Sequence, residues 1–319
     1  MLNILSKKDR MILRSDMWNL GFITDDIADV IKSDKLNIHW MKHSYTDRWF
    51  ADPYLLEVTD KQIVVLVEEF CYKLRKGRIA RLVVSRPDYV LQEMKIILEL
   101  PTHLSFPVIY QKDGEVYVMP ENSKSGGISI YKYNPQNICL EKMHEVGKLP
   151  LTDATIVQFT SGEDYIFSTK LPNPNGNELQ VYPFDGKEMF MDENPIANVS
   201  FQSNVARNAG DAFYIDEQMY RPAQDCNKCY GNGIEIQKVN KEGKTFVFET
   251  ITSFHSDNPD YSLGYHTFNM KNGLIVVDGH RFRFPRMVKF LGLLHNIRNL
   301  KKGKCYLLST ISRWVVQKR

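Results

Sequence analysis

The sequence predicts an all-β protein, a five-bladed β-propeller with four-stranded antiparallel blades. Three observations carry that prediction. Short runs rich in Val, Ile, Tyr and Phe alternate with polar residues, and turn residues interrupt them every ten or so positions. Helical periodicity is absent between about 45 and 280. Five segments share one plan: WFADPYLLEVTDKQIVVLVEEF (49–70), LSFPVIYQKDGEVYVMPENS (104–123), LTDATIVQFTSGEDYIFSTK (151–170), VARNAGDAFYIDEQMYRPAQD (205–225) and YHTFNMKNGLIVVDGH (265–280).

Each segment opens with a small polar or kinked lead-in and runs into an apolar strand. It turns at TDK, KDG, SGE, DEQ or KNG and returns as a second strand. The lead-ins at Asp52, Phe106, Asp153, Asn208 and His266 stand 54, 47, 55 and 58 residues apart, which suits a blade repeated radially. Third strands RIARLVVS, GISIYKY, ELQVYPF and GIEIQKV follow the first four pairs, and fourth stretches EMKIILELP, LEKMHEVGKLP, MDENPIANVS and VFETITSF come next. LNIHWMKH (36–43) reads as a fourth strand ahead of the first repeat. It is expected to close the ring by pairing with the fifth blade, leaving few exposed sheet edges. A β-sandwich or two small β domains is the alternative, and five similar lead-ins weigh against it. The expected division is a propeller over 1–285 and a basic amphipathic extension over 286–319.

A net charge of +3 singles out no partner, but the charge is segregated. Arg281–Arg319 holds eleven Lys or Arg and no Asp or Glu, so the rest of the chain is acidic, 30 basic residues against 38 acidic. In the tail, Met287, Val288, Leu291, Leu294 and Ile297 recur at helical spacing with Arg286, Lys289 and Arg298 between them. That pattern fits a helix on the propeller wall, or a peripheral anchor on an anionic membrane surface. Nucleic acid is not an expected partner, because stacking aromatics are sparse there. Five cysteines at irregular spacing argue against a disulfide framework and for a reducing compartment. No apolar run reaches signal-peptide or membrane-spanning length, so the expected location is cytoplasmic, with the tail able to bring the protein to the inner membrane face.

In a propeller the innermost strands line the central channel and their lead-ins gather at one mouth. Asp52, Asp153, Arg207, Asn208 and His266 should therefore meet there. The ends of the second strands add Glu68 or Glu69, Glu121, Asp225 and His280, with Gln224 beside Asp225. Carboxylates held close push one another's titration apart, which divides acid from base. The structural alternative is that they cap strand ends and pair with Arg207, Arg221 and Arg281. As a set they point to a polar ligand, and a glycan or sugar-phosphate suits them. Trp49, Phe50 and Phe106 would offer ring faces, and Arg221 a further donor. No cofactor or metal is expected: Cys226 and Cys229 form a single CxxC without a second ligand pair, and no Walker loop, GxGxxG or HExxH is present.

WFADPYLLE, HLSFPVIYQKDGEVYVMPENS, LTDATIV and MYRPAQDC, with YG at 230–231, together resemble the N-terminal five-bladed propeller domain of glucosamine inositolphosphorylceramide transferases and related bacterial proteins. The resemblance spans about residues 45–285. That domain is more distantly similar to the propellers of glycoside hydrolase family 43, which implies an Asp base on the first blade, an Asp modulator on the third and a Glu general acid on the fourth. Asp52 and Asp153 occupy the first two places. The fourth lead-in reads ARNAG, so Arg207 and Asn208 stand where the acid belongs, leaving Glu121 and Asp225 as candidates for that role. Inverting hydrolysis would need the acid about 6.5–9.5 Å from the base. Two functions are open: a carbohydrate-active enzyme, glycosidase-like or glycosyl-transferring, or a non-catalytic glycan-binding or scaffold propeller accessory to a glycosyltransferase.

Overall fold

The computed structural model describes residues 15–284. Strands β1 (Asp16–Ile23) and β2 (His39–Trp40) flank a one-turn helix, α1 (Ile27–Val30), capped by the Asp26 carboxylate. Blade I follows as β3 (Arg48–Val58), β4 (Gln62–Cys71), β5 (Lys76–Ser85) and β6 (Leu91–Leu98). Blade II is β7 (Ser105–Lys112), β8 (Glu115–Glu121), β9 (Ile128–Asn134) and β10 (Cys139–Gly147). Blade III is β11 (Leu151–Gln158), β12 (Asp164–Lys170) and β13 (Glu178–Asp185), edged by β14 (Phe190–Met191) and β15 (Ala197–Ser200), which both pair with β13. Blade IV is β16 (Phe213–Ile215), β17 (Gln218–Asp225), β18 (Gly233–Glu242) and β19 (Thr245–His255). Blade V is β20 (Gly264–Lys271) and β21 (Leu274–Phe282), completed by β1 and β2.

The five-bladed architecture is as the repeat predicts, and the ring closure is richer than expected. The 36–43 segment supplies only the outermost strand. His39 and Trp40 pair with Phe22 and Gly21 of β1, and β1 is the third strand that lies against β21. DMWNLGFI reads poorly as a strand because Asp16, Asn19 and Gly21 interrupt the apolar alternation. Its pairing with β21 overrides that local preference. Two strands from one end of the described chain thus complete a blade begun at the other.

Apolar cores lie between neighbouring blades. Phe50, Leu20, Ile63 and Leu274 fill one between blades V and I, and Tyr54, Phe106, Leu151 and Ile166 fill another across blades I to III. Both faces of β4 are covered, which is why IVVLV is an unbroken apolar run rather than an alternating one.

The lead-ins share one backbone device. Pairing skips between Ala51 and Tyr54, Ser105 and Val108, Thr152 and Thr155, and Tyr265 and Phe268. Asp52, Phe106 and Asp153 take positive φ of 51°, 44° and 45°. Each is a bulge that turns the inner strand and leaves a backbone N–H without a ladder partner. In blade IV, an isolated bridge joins Asn208 to Ala223 before β16 pairs regularly. There Gly210 passes so close to Phe268 that a Cβ would lie 2.1 Å from its carbonyl oxygen. Trp18–His280 forms one unit of the fold, and the described stretches outside it pair with each other, Arg283 N donating to Ser15 O. The extension expected at 286–319 lies outside the described residues.

Candidate functional site

The bulge N–H groups explain most of the acids at the mouth. Asp52 N donates to Asp278 Oδ2 at 2.9 Å, Phe106 N to Asp52 Oδ2 at 3.0 Å, and Asp153 N to Glu121 Oε2 at 2.9 Å. His266 N and Thr267 N both donate to Asp278 Oδ1. Three of the four bulges are thus held by a side-chain carboxyl of the preceding blade, and that of blade V by one of its own. A buried orphan N–H costs about 1–3 kcal/mol, so each acid removes a penalty that the bulge itself creates.

Between blades V and I, His266 bridges two carboxylates, Nδ1 to Asp278 Oδ1 at 2.7 Å and Nε2 to Asp52 Oδ1 at 3.1 Å. With both ring nitrogens donating, the ring is an imidazolium. Burial works against that charge, but Asp278 and Asp52 outweigh it and push its titration up to about 10. Asp52 Oδ1 also accepts from Thr267 Oγ1. Asp52, His266 and Asp278 are the set among the described residues that could gather round a cation. The imidazolium protons already point at the oxygens such an ion would use, and it supplies the positive charge between them.

A second hub lies between blades III and IV. Asp153 accepts from Arg207 Nε at 2.5 Å and Nη2 at 3.2 Å, and from Gln224 Nε2 at 2.7 Å. Asn208 Nδ2 donates to the carbonyls of Asp153 and Phe167. Glu121, 3.7 Å from Arg207, is pushed up to about 8 by burial and by the Asp153 charge.

The remaining expected residues divide by environment. Phe50 and Phe106 are fully buried in the inter-blade cores, so their ring faces are covered by protein. Arg221 is buried within blade IV, donating to Asn208 Oδ1, Gln237 Oε1 and Ala206 O. Trp49 is buried and stacks on the partly exposed Phe70 at 4.8 Å. Asp225 pins the loop after β17. Burial opposes its charge, but donors on Asn227, His255 and Asn232 hold it below the usual carboxylate range, the reverse of what a general acid needs.

That pinned loop carries Tyr230, which is 38% exposed. Its ring sits 5.0 Å from the Arg207 guanidinium, 5.2 Å from His266 and 6.3 Å from Trp18. Gly231 at φ 66° lets the loop press on Trp18, where a Cβ would come within 2.8 Å of the indole. Trp18 in turn stacks on His280 at 4.1 Å and lies tilted by 36° against His266 at 4.0 Å. Asp278, Trp18 and Tyr230 were not among the residues the sequence singled out. An aspartate inside the apolar run LIVVDG is the signal that would have found the first, while Trp18 sits on the unrecognised β1.

The fold has known counterparts. The β-xylosidase/α-arabinofuranosidase of family GH43 from a compost microbial metagenome superposes with a TM-score of 0.51 at 10% identity, covering 76% of this chain and 93% of its own. A GH43_1 enzyme from Xanthomonas citri gives 0.52 at 9%, covering 74% and 88%. At those identities the likeness is one of fold. In sequence, Glucosamine inositolphosphorylceramide transferase 1 of Arabidopsis thaliana is 33% identical over 158 residues, 46% of this chain and 20% of the relative. The protein of the same name from Oryza sativa subsp. japonica is 27% identical over 205 residues, 62% of this chain and 27% of the relative. The chain therefore spans between a fifth and under a third of the length of these relatives. The family described as Glucosamine inositolphosphorylceramide transferase 1, N-terminal, matches residues 37–263, which cover the whole of blades I to IV, and the chain belongs to that family.

Proposed function

We propose that the protein is a saccharide-binding propeller that serves glycosyl transfer rather than a hydrolase. One observation carries this reading: Asp52 and Asp153, which stand where a family 43 enzyme would keep its base and modulator, are committed to holding blades together. Their oxygens are filled by Phe106, His266 and Thr267 in one case, and by Arg207 and Gln224 in the other. Arg207 and Asn208 replace the fourth-blade acid and belong to the same bonding scheme. The mouth keeps a polar rim and the partly exposed Tyr230, an aromatic residue of the kind that suits a sugar face. The names of the relatives point to an inositol- and glucosamine-containing glycolipid as the class of ligand.

Isothermal titration of the purified chain with D-glucosamine and myo-inositol 1-phosphate, alongside a reducing-sugar release assay on aryl glycosides, tests this. The expected result is saturable binding to at least one probe and no release. The raised titration of Glu121 is what favours a hydrolytic second reading. Release that Asp52→Asn abolishes while leaving stability unchanged would establish that reading and overturn ours.

The proposal includes a location at a cytoplasmic membrane face, supported by the acid-free basic run from Arg281 to Arg319. Sedimentation with phosphatidylserine vesicles should be salt-sensitive and lost on deletion of 286–319. Equal sedimentation of the truncated chain would remove the membrane from the proposal.

A further inference from the structure

Glu68 stands apart from every other acid of the mouth. It lies in the last part of β4, level with Ala51 of β3, and its side chain is about nine-tenths buried. Asp52, Asp153, Asp278 and Glu121 each capture a bulge N–H or an interblade donor, and the neighbouring Glu69 is clamped by Arg48 and Arg78 at 3.0 and 2.9 Å. Glu68 captures none of these. Its Oε1 is buried and lacks a well-aligned hydrogen bond, with His103 Nε2 at 3.2 Å. A buried carboxyl oxygen with spare lone pairs in a native fold calls for a partner from outside.

The surroundings are built for that carboxyl. Gly77 N donates to His103 Nδ1 at 2.9 Å, which makes Nδ1 an acceptor and leaves the proton on Nε2, facing Glu68. A Cβ at Gly77 would fall 2.5 Å from Glu68 Oε1 and 2.3 Å from Leu104 O, so glycine keeps the space open. The two-residue alternation of the strands puts Glu68, Phe70, Trp49 and Gly77 on one sheet face. The partly exposed Phe70 ring lies 6.2 Å from His103. A carboxyl, an imidazole reaching solvent and an aromatic face are what a sugar hydroxyl edge and ring face require.

We propose that Glu68 is the hydroxyl-accepting residue of the mouth, oriented by His103 and flanked by Phe70, and that saccharide hydroxyls donate to it when bound. This rests on the saccharide-binding reading above. The groups facing the pair are Asp52 on β3, His266 on β20, Glu121 on β8, Lys124 just beyond it, and Tyr230 from the loop after β17. Burial raises Glu68 to about 7, against the pull of His103. The free protein is therefore partly protonated at neutral pH, whereas hydroxyl donors prefer the carboxylate. Binding should release a proton from Glu68 to solvent and tighten as pH rises through neutrality.

The test is titration calorimetry with myo-inositol 1-phosphate and D-glucosamine at pH 6, 7 and 8 in buffers of different ionisation enthalpy, on wild type, Glu68→Gln and His103→Ala. Wild type should release protons near pH 7. Glu68→Gln should bind about 10- to 100-fold more weakly, the range for a hydrogen bond to a charged group, and lose the proton release. His103→Ala keeps Glu68 but removes a group that favours its charged form, so its pH profile should move upward. If wild type binds and Glu68→Gln matches it in affinity and pH profile, or His103→Ala leaves the profile unmoved, the assignment of Glu68 is overturned while saccharide binding stands. Failure of wild type to bind either probe overturns both.

Discussion

Asp52→Ala is expected to destabilise the propeller by about 3–5 kcal/mol, the cost of removing one partner from a buried ion pair. The loss falls in three places at once. Phe106 N in the bulge of blade II loses its acceptor, Thr267 Oγ1 loses its partner, and the His266 imidazolium keeps only Asp278. Asp52→Asn retains one oxygen of the same shape and should lose less, because an amide oxygen still accepts while the charge opposite His266 is gone. Guanidinium unfolding followed by tryptophan fluorescence and by far-UV circular dichroism would give both values. A catalytic base would behave differently: its amide variant would lose turnover at nearly unchanged midpoint. An Asp52→Ala midpoint within error of wild type would remove the interblade role from Asp52 and reopen the hydrolytic reading.

The blade repeat was legible because it is written in local chemistry. Turn residues such as KDG and KNG, strand alternation and the kinked lead-ins all recur at one spacing, and each is decided within a few residues of itself. The same property located the mouth, since any lead-in of a propeller must point to it. What the lead-in residues do there was not legible. Asp52 and Phe106 look unrelated in sequence, yet one fills the hydrogen-bond vacancy of the other's bulge across a blade boundary. Phe106 matched as a lead-in by position, while its side chain turned into the core. Arg221 looked like a ligand donor in YRPAQDC, and its guanidinium is consumed inside its own blade. Glu68 and Glu69 are adjacent and chemically alike. Strand alternation sends one to two arginines and the other to the mouth, and only the partners on β5 and on the 99–104 connection reveal which is which.

The His266 bridge sets the pH behaviour of the fold, and its sign follows from the direction of the shift. An unfolded histidine titrates near 6.5, and the folded one is raised to about 10. Between those values the native state holds a proton that the unfolded state has released. The stabilisation from the imidazolium is therefore complete below about pH 6.5 and is lost progressively as pH rises towards 10. At about 1.4 kcal/mol for each unit of pKa, the loss is on the order of 3–5 kcal/mol. Glu68 and Glu121, raised to about 7 and about 8, lower stability in the same direction but over a lower window that begins near the ordinary carboxylate range. The histidine contribution is isolated as the difference between wild type and His266→Gln in unfolding free energy from pH 8 to pH 10, because Glu121 and Asp211, raised to about 8, and Cys226, raised to about 11, are present in both. Wild type should lose stability more steeply over that interval than the variant, which is weaker throughout. Ring nitrogen chemical shifts provide a check that does not depend on the variant folding: in the native protein at pH 8, both His266 nitrogens should carry protons. A neutral ring at pH 8 would mean that the two aspartates are held together by some other charge, and the cation between blades V and I would have to be sought elsewhere.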